Sequence, residues 1–162
     1  MKNYIQFLES TYHSKQQVYY HGSGTPIVGK FKPTESKRGS GVYKNNVYFF
    51  TDDIEIAEVF AKDRSTDGKG FITKVHLDIH NILDLSEDEI FVEDFLKELF
   101  GHDISEESIL DLEQVWNILD EPKLVEKIKS MGYDSVKLSE PILKWDATSI
   151  AVFDPDKIEI IS

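Results

Sequence analysis

The chain has 162 residues and a formal net charge of −12, from 18 Lys+Arg against 30 Asp+Glu. Hydrophobic residues make up 40% and cysteine is absent, which indicates a globular domain and excludes disulfides and thiolate chemistry. The acidity disfavours binding to nucleic-acid phosphates, and no apolar run approaches the ~20 residues of a membrane span. The length predicts one domain, residues 1–162. Because the N-terminus also lacks a signal-peptide pattern, we expect the protein in the cytosol.

The first third of the chain predicts a helix, a strand and a long loop. Apolar residues at helical spacing predict a short helix within residues 3–16. The aromatic run that follows is typical of a strand and ends at His21, next to a glycine turn where the backbone can approach a ligand closely. From Gly24 to Gly41 we expect a loop, whose basic pair Lys37–Arg38 either meets a phosphate-bearing ligand or is solvated.

The next stretch predicts a strand, a helix and a second strand. Val47–Thr51 has strand composition, and the two aspartates after it can cap a helix from about Ile54 to Lys62. In that helix the side chains expected to face inward are Ile54, Ala57, Phe60 and Ala61. A polar loop leads to a strand from Phe71 that continues through His80 towards Leu85.

An acidic helical insert, about residues 86–131, predicts three helices. The first begins with the capping-box pattern at residues 86–89, the second runs over residues 105–119, and the third begins at Pro122. Lys97 is the only base between residues 86 and 121, so the insert is strongly acidic. Its outer face is either a partner surface or a solvated face.

The C-terminal part returns to strands, at residues 133–138, 149–153 and 158–161. Short strands separated by turns, with helices in the first third and the middle, predict an α+β fold with a largely antiparallel sheet.

Five stretches, taken in order, resemble the ADP-ribosyltransferase fold in its diphtheria-toxin and PARP-like branch, especially the small bacterial and phage members. They lie at residues 20–23, 47–51 with Ala57 and Phe60, 75–79, 132–136, and 152–155 followed by Ile158. The resemblance implies a split antiparallel β-sheet core with an N-terminal helix, from which the acidic helical insert departs.

The resemblance also implies that the substrate is NAD and that a strand end binds it. His21 would bond the adenosine ribose, and the backbone of Gly22, beside Ser23, would hold the nicotinamide amide. Tyr48 would stack on the nicotinamide ring, and Phe60 would be a second aromatic against it. Plain core packing is the alternative for both aromatic residues.

The catalytic carboxylate is the point at which the chain departs from the family. Active members place a carboxylate, usually Glu, at the start of the strand before the Val-Phe-Asp-Pro stretch, where it stabilises positive charge on the ribose. Here that position is Ser149, whose neutral hydroxyl supplies no charge. We predict a catalytic set of Asp146, Ser149 and Tyr48. Glu140 is the alternative acid, but Pro141 after it restricts the backbone.

Two other chemistries are disfavoured by spacing and context. His76, Asp78 and His80 alternate along a strand, but the outer pair would stand ~13 Å apart, too far to share an ion; we predict no metal site. Ser23 lacks the G-x-S-x-G elbow of a serine nucleophile.

Two functions remain. The first is an NAD-dependent mono-ADP-ribosyltransferase, of the glycosyltransferase class, that modifies a protein target as a bacterial or phage toxin or effector in bacterial or host cytosol. The second is a catalytically silent module of the same fold that binds NAD or a protein. For both functions we expect a protein partner, and the acidic charge of the chain would select a basic one. We expect no direct binding to nucleic acid or to a membrane.

Overall fold

The computed structural model describes residues 17–38, 41–45, 47–86, 94–98, 119, 122–144 and 146–161. The strands within these ranges are β1 (Tyr19–Ser23), β2 (Thr34–Arg38), β3 (Gly41–Asn45), β4 (Tyr48–Thr51), β5 (Phe71–Leu77), β6 (Ile82–Asp84), β7 (Ser135–Ser139), β8 (Thr148–Val152) and β9 (Ile158–Ile160). The helices are α1 (Ile54–Arg64) and α2 (Pro122–Ser130), a 3₁₀ turn at Pro155–Lys157, and a helical stretch at residues 94–98.

One mixed sheet organises the described residues. Its seven strands have the order β6-β7-β8-β4-β1-β5-β9, while β2 and β3 form a separate hairpin. Neighbouring strands are antiparallel except β6 and β7, which are parallel. The α+β prediction with a largely antiparallel sheet is therefore confirmed.

Two hydrophobic clusters pack against this sheet. The first lies around β6, β7 and α2 and includes Leu83, Ile128 and Val136. The second lies around β4 and β5 and includes Phe31, Phe50, Val75 and Val152. The second cluster adjoins the opening described below, so its aromatic side chains serve both as core and as wall.

Helix α1 lies directly against β1. Its N-cap is Asp53, whose side chain accepts from the Glu55 backbone N–H at 2.9 Å, as the sequence predicts. The approach is close, because a Cβ added at Gly22 would stand 2.0 Å from the carbonyl oxygen of Ala57. Gly22 is therefore a packing glycine, and not only a turn residue. The inward face is Ile56, Ala57 and Ala61, whereas Ile54, predicted inward, is 41% exposed.

Two predictions for the first half are wrong. The expected loop from Gly24 to Gly41 contains β2, which pairs with β3 from Thr34↔Asn45 to Arg38↔Gly41; the sequence TESKR shows no apolar alternation that would reveal a strand. The expected long strand from Phe71 towards Leu85 is divided into β5 and β6. Between them the Asp134 carboxylate accepts hydrogen bonds from the backbone N–H groups of His80 and Asn81, in a connection that is not a strand.

The third insert helix, predicted from Pro122, is confirmed as α2. The N-terminal helix, and the first two insert helices apart from residues 94–98 and 119, lie outside the described residues. The single domain over residues 1–162 stays a prediction. A helix with the length and apolarity of a bilayer span does not occur in the described part of the chain.

Candidate functional site

The central sheet opens between β1 and β4. Strand β1 pairs with β5 at each position from Tyr19↔Val75 to Ser23↔Phe71, but with β4 only at Tyr20↔Thr51. Beyond that point the two strands separate around a cleft of about 560 Å³, within the range of small-molecule sites. The predicted site residues that line it are His21, Gly22, Ser23, Tyr48, Phe60 and Ser149.

His21 fills the place where the β1–β4 ladder stops. Its Nδ1 lies 2.7 Å from the carbonyl oxygen of Phe49, so Nδ1 carries the proton and donates. Burial lowers the pKa of the imidazole; the hydrogen bond opposes this shift and the charge of Arg64 adds to it. The ring packs edge-on against Phe31 at 5.1 Å and tilted against Phe50 at 5.6 Å. His21 is thus held neutral, with Nε2 as a hydrogen-bond acceptor.

Gly22 and Ser23 form the edge of β1 in the cleft. The Ser23 hydroxyl donates to the carbonyl oxygen of Thr25 at 2.7 Å, which closes the turn after the strand. With that proton committed, the Ser23 oxygen can only accept from a ligand. Gly22 is buried, with α1 packed closely on it, and it lines the cleft.

The two predicted aromatic residues have different environments. Tyr48 is 7% exposed, and its ring packs edge-on against Phe31 at 5.9 Å, so it belongs to the core as well as to the cleft wall. Phe60 is half-buried on α1, and the guanidinium of Arg64 lies 5.4 Å from its ring centroid. Phe60 is therefore the more accessible surface for a flat ring.

The carboxylate in the cleft is Glu140 and not Asp146. Glu140 lines the cleft, half-buried, and its Oε2 accepts from the Ser149 hydroxyl at 3.2 Å. Burial raises the pKa of the Glu140 carboxyl, while the Ser149 hydrogen bond and the charge of Arg64 act in the opposite direction. Asp146 is exposed and is not among the lining residues. The sequence offered two acids, Asp146 and Glu140, and the structure brings Glu140 to Ser149.

Two cations also line the cleft, Lys32 before β2 and Arg64 in the last turn of α1. Sequence reasoning missed both, because neither stands in a basic cluster. The basic pair that it selected, Lys37–Arg38, lies in β2. Phe31 and Phe50 were also not predicted from the sequence as cleft residues. The signal that could have found Phe50 is an aromatic residue near the end of a predicted strand.

The histidines of the rejected metal pattern have separate partners. Nδ1 of His76 lies 3.7 Å from Glu159, while Nε2 of His80 lies 2.7 Å from Asp78.

A mixed sheet that opens between two central strands, with a histidine, a glycine edge and aromatic walls at the opening, has the features expected of an ADP-ribosyltransferase domain. The family model for the ADP-ribosyltransferase in polyvalent proteins matches residues 15–162. The chain therefore belongs to this family, which confirms the resemblance drawn from the sequence. No curated protein and no solved structure matches the chain significantly.

Proposed function

We propose that the domain binds NAD in the β1–β4 cleft and transfers ADP-ribose from it to a protein. The family supports ADP-ribosyl transfer in general terms. The observation that carries the proposal for this chain is the anchored, neutral His21 at the mouth of a cleft that also holds an open strand edge, aromatic walls and cations.

His21 recognises a ribose hydroxyl. Because Nδ1–H is committed to the Phe49 carbonyl, Nε2 is left as an acceptor for a hydroxyl proton. The lowered pKa keeps this acceptor available below the pH at which an ordinary histidine is charged.

The nicotinamide end lies along β1. An amide group needs a donor and an acceptor side by side, which the backbone at Gly22 offers on the edge that β4 leaves open. The ring then rests between Tyr48 and Phe60, where offset or edge contacts are favourable.

We expect the diphosphate of NAD to bind near Lys32 and Arg64. Both line the cleft, and a guanidinium is suited to bidentate contact with phosphate oxygens. Arg64 is partly oriented already by its position over the Phe60 ring.

The acceptor is a protein side chain, and the net charge of −12 favours a basic target. The acidic insert, about residues 86–131, is the proposed target-selecting surface. A role as a bacterial or phage effector in bacterial or host cytosol is part of the same proposal.

Calorimetric titration with NAD tests the cleft assignment. His21→Ala removes the acceptor nitrogen and should weaken NAD binding roughly 3- to 10-fold. His80→Ala is the matched control, because the His80 side chain is exposed and its Nε2 lies 2.7 Å from Asp78. This variant should bind NAD like wild type. Absence of binding at millimolar NAD, or equal weakening in both variants, would contradict the proposal.

A silent NAD-binding module is the second candidate, favoured by Ser149 at the position where active members have a carboxylate. It predicts NAD binding without release of nicotinamide. Chromatographic measurement of nicotinamide after incubation with NAD separates the two functions.

A further inference from the structure

We propose that Glu140, reaching the cleft from the end of β7 and held there by Ser149, is the carboxylate that stabilises the ribose during cleavage of NAD. The inference rests on the proposed function. It assigns the catalytic carboxylate to a strand next to the one that carries it in active family members, with Ser149 as a positioning residue.

The route is set by the register of two neighbouring strands. Leu138 stands opposite Ser149 and Ser139 opposite Thr148, so the residue that leaves β7 emerges beside the start of β8. The backbone N–H of Glu140 then donates to the carbonyl oxygen of Ala147 at 2.8 Å. The Glu140 side chain therefore starts next to the position from which the usual carboxylate would project.

Ser149 fixes one oxygen of this carboxylate. It is 3% exposed, and its hydroxyl donates to Oε2 of Glu140 at 3.2 Å, which leaves Oε1 without that bond. A serine here thus performs a different task from the usual glutamate, since it supplies no charge of its own but orients a charge supplied by a neighbour.

The loop after Glu140 is tied to helix α1. The Lys144 ammonium lies 2.8 Å from Oδ2 of the N-cap Asp53 and 3.2 Å from Oε2 of Glu55 in the first turn of the helix. Because α1 also carries Phe60, the carboxylate and the ring-binding wall are held by one connected unit.

No other carboxylate competes for this role among the described residues that line the cleft. Asp146 is exposed, and Asp53 is engaged with Lys144 and with the N–H of Glu55.

The reaction is a displacement at the anomeric carbon of the nicotinamide ribose. The bond between C1′ and the nicotinamide nitrogen breaks and both electrons leave with nicotinamide. Positive charge develops on the sugar, where Glu140 accepts the 2′-hydroxyl proton in a hydrogen bond and stabilises the charge. The acceptor oxygen or nitrogen forms the new bond to C1′ and gives its proton to solvent.

The main test measures NAD affinity and nicotinamide release, with water as acceptor, in wild type, Glu140→Gln and Asp146→Asn. We expect Glu140→Gln to reduce release by about 10²–10³-fold, the usual loss for one charge-stabilising group, with NAD affinity nearly unchanged. Asp146→Asn, the matched control, should release nicotinamide like wild type. A normal rate in Glu140→Gln, or a comparable loss in Asp146→Asn, overturns the assignment.

Ser149 is tested by the pH profile of nicotinamide release. Ser149→Ala removes the hydrogen bond that lowers the pKa of Glu140, so the acidic limb of the profile should move to higher pH, and Ser149→Thr, which keeps a hydroxyl, should restore it. A lower rate in Ser149→Ala with an unmoved profile overturns the positioning role.

The outcomes also separate this inference from the proposed function. NAD binding by wild type without any nicotinamide release overturns the catalytic role of Glu140 and leaves the NAD site intact. Absence of NAD binding overturns the proposed function itself.

Discussion

At the scale of single residues, the proposed site depends on two titratable side chains, His21 and Glu140, and burial shifts the pKa of each toward the neutral form. His21 is kept neutral by burial and so presents an acceptor nitrogen. Glu140 is half-buried, in surroundings where a charge acts more strongly on a ligand than it would in water. One hydrogen bond orients each side chain: His21 donates to the Phe49 carbonyl, and Glu140 accepts from the Ser149 hydroxyl.

The shift of His21 has a consequence for stability. Its pKa is lower in the folded chain than the ordinary value near 6.5, so its stabilising contribution is present above that value and is lost as pH falls through the folded pKa. We expect the melting temperature of wild type to fall more steeply between about pH 7 and pH 5 than that of His21→Gln, whose amide has no titration there.

Thermal melts across this pH range provide the measurement, and His80→Gln is the control that should follow wild type. Parallel curves for wild type and His21→Gln would show that protonation of His21 carries no folding penalty.

At the scale of elements, the cleft exists because β1 forms a full ladder with one neighbouring strand and almost none with the other. It pairs fully with β5 and at one position with β4, and α1 covers it closely through Gly22. The same approach brings Phe60 and Arg64 of α1 to the cleft.

Gly22→Ala tests this packing. The added Cβ would stand 2.0 Å from the Ala57 carbonyl oxygen and 2.8 Å from the Ala61 nitrogen, so α1 has to move. We expect a loss of about 1–3 kcal/mol in unfolding free energy, typical of overpacking, together with weaker NAD binding.

Gly29→Ala is a poor control because Gly29 has φ +78, which strains any side chain. Thr25→Ala is the preferred control for stability: Thr25 is exposed, and the substitution keeps the backbone carbonyl that accepts from Ser23. Denaturant unfolding gives the energies. A Gly22→Ala protein as stable as Thr25→Ala would contradict the close approach of α1.

At the scale of the whole molecule, the charge of the cleft differs from the net charge of the chain. The chain carries −12, yet the cleft places Lys32 and Arg64 beside a single carboxylate among the described residues. A small anionic substrate is thus met locally by cations, while the protein as a whole repels polyanions.

This charge predicts that the protein does not bind a DNA duplex at about 150 mM salt, because no counterions are released when an acidic surface meets phosphates. Fluorescence anisotropy with a labelled duplex is the measurement, with a basic protein of similar size as the positive control. Saturable binding that weakens with salt would contradict this prediction.

The sequence by itself determined the local features. Four features follow from short-range chemistry: the strand into His21, the Asp53 cap of α1, the start of α2 at Pro122 and the aromatic strand at Tyr48. Of these elements, β1, β4 and α1 bring most of the predicted site residues to one cleft. The polar hairpin of β2 and β3 carries no such pattern, and its existence depends on pairing between strands.

Only the tertiary structure decided which acid reaches the cleft. Along the chain Asp146 is closer to Ser149, and Pro141 argued against Glu140. Across the sheet, the antiparallel register of β7 and β8 places Glu140 beside the start of β8 and leaves Asp146 exposed in the connecting loop. Register is fixed by the burial of whole strand faces in the core, and the distance between two side chains in a sheet therefore cannot be judged from their separation in sequence.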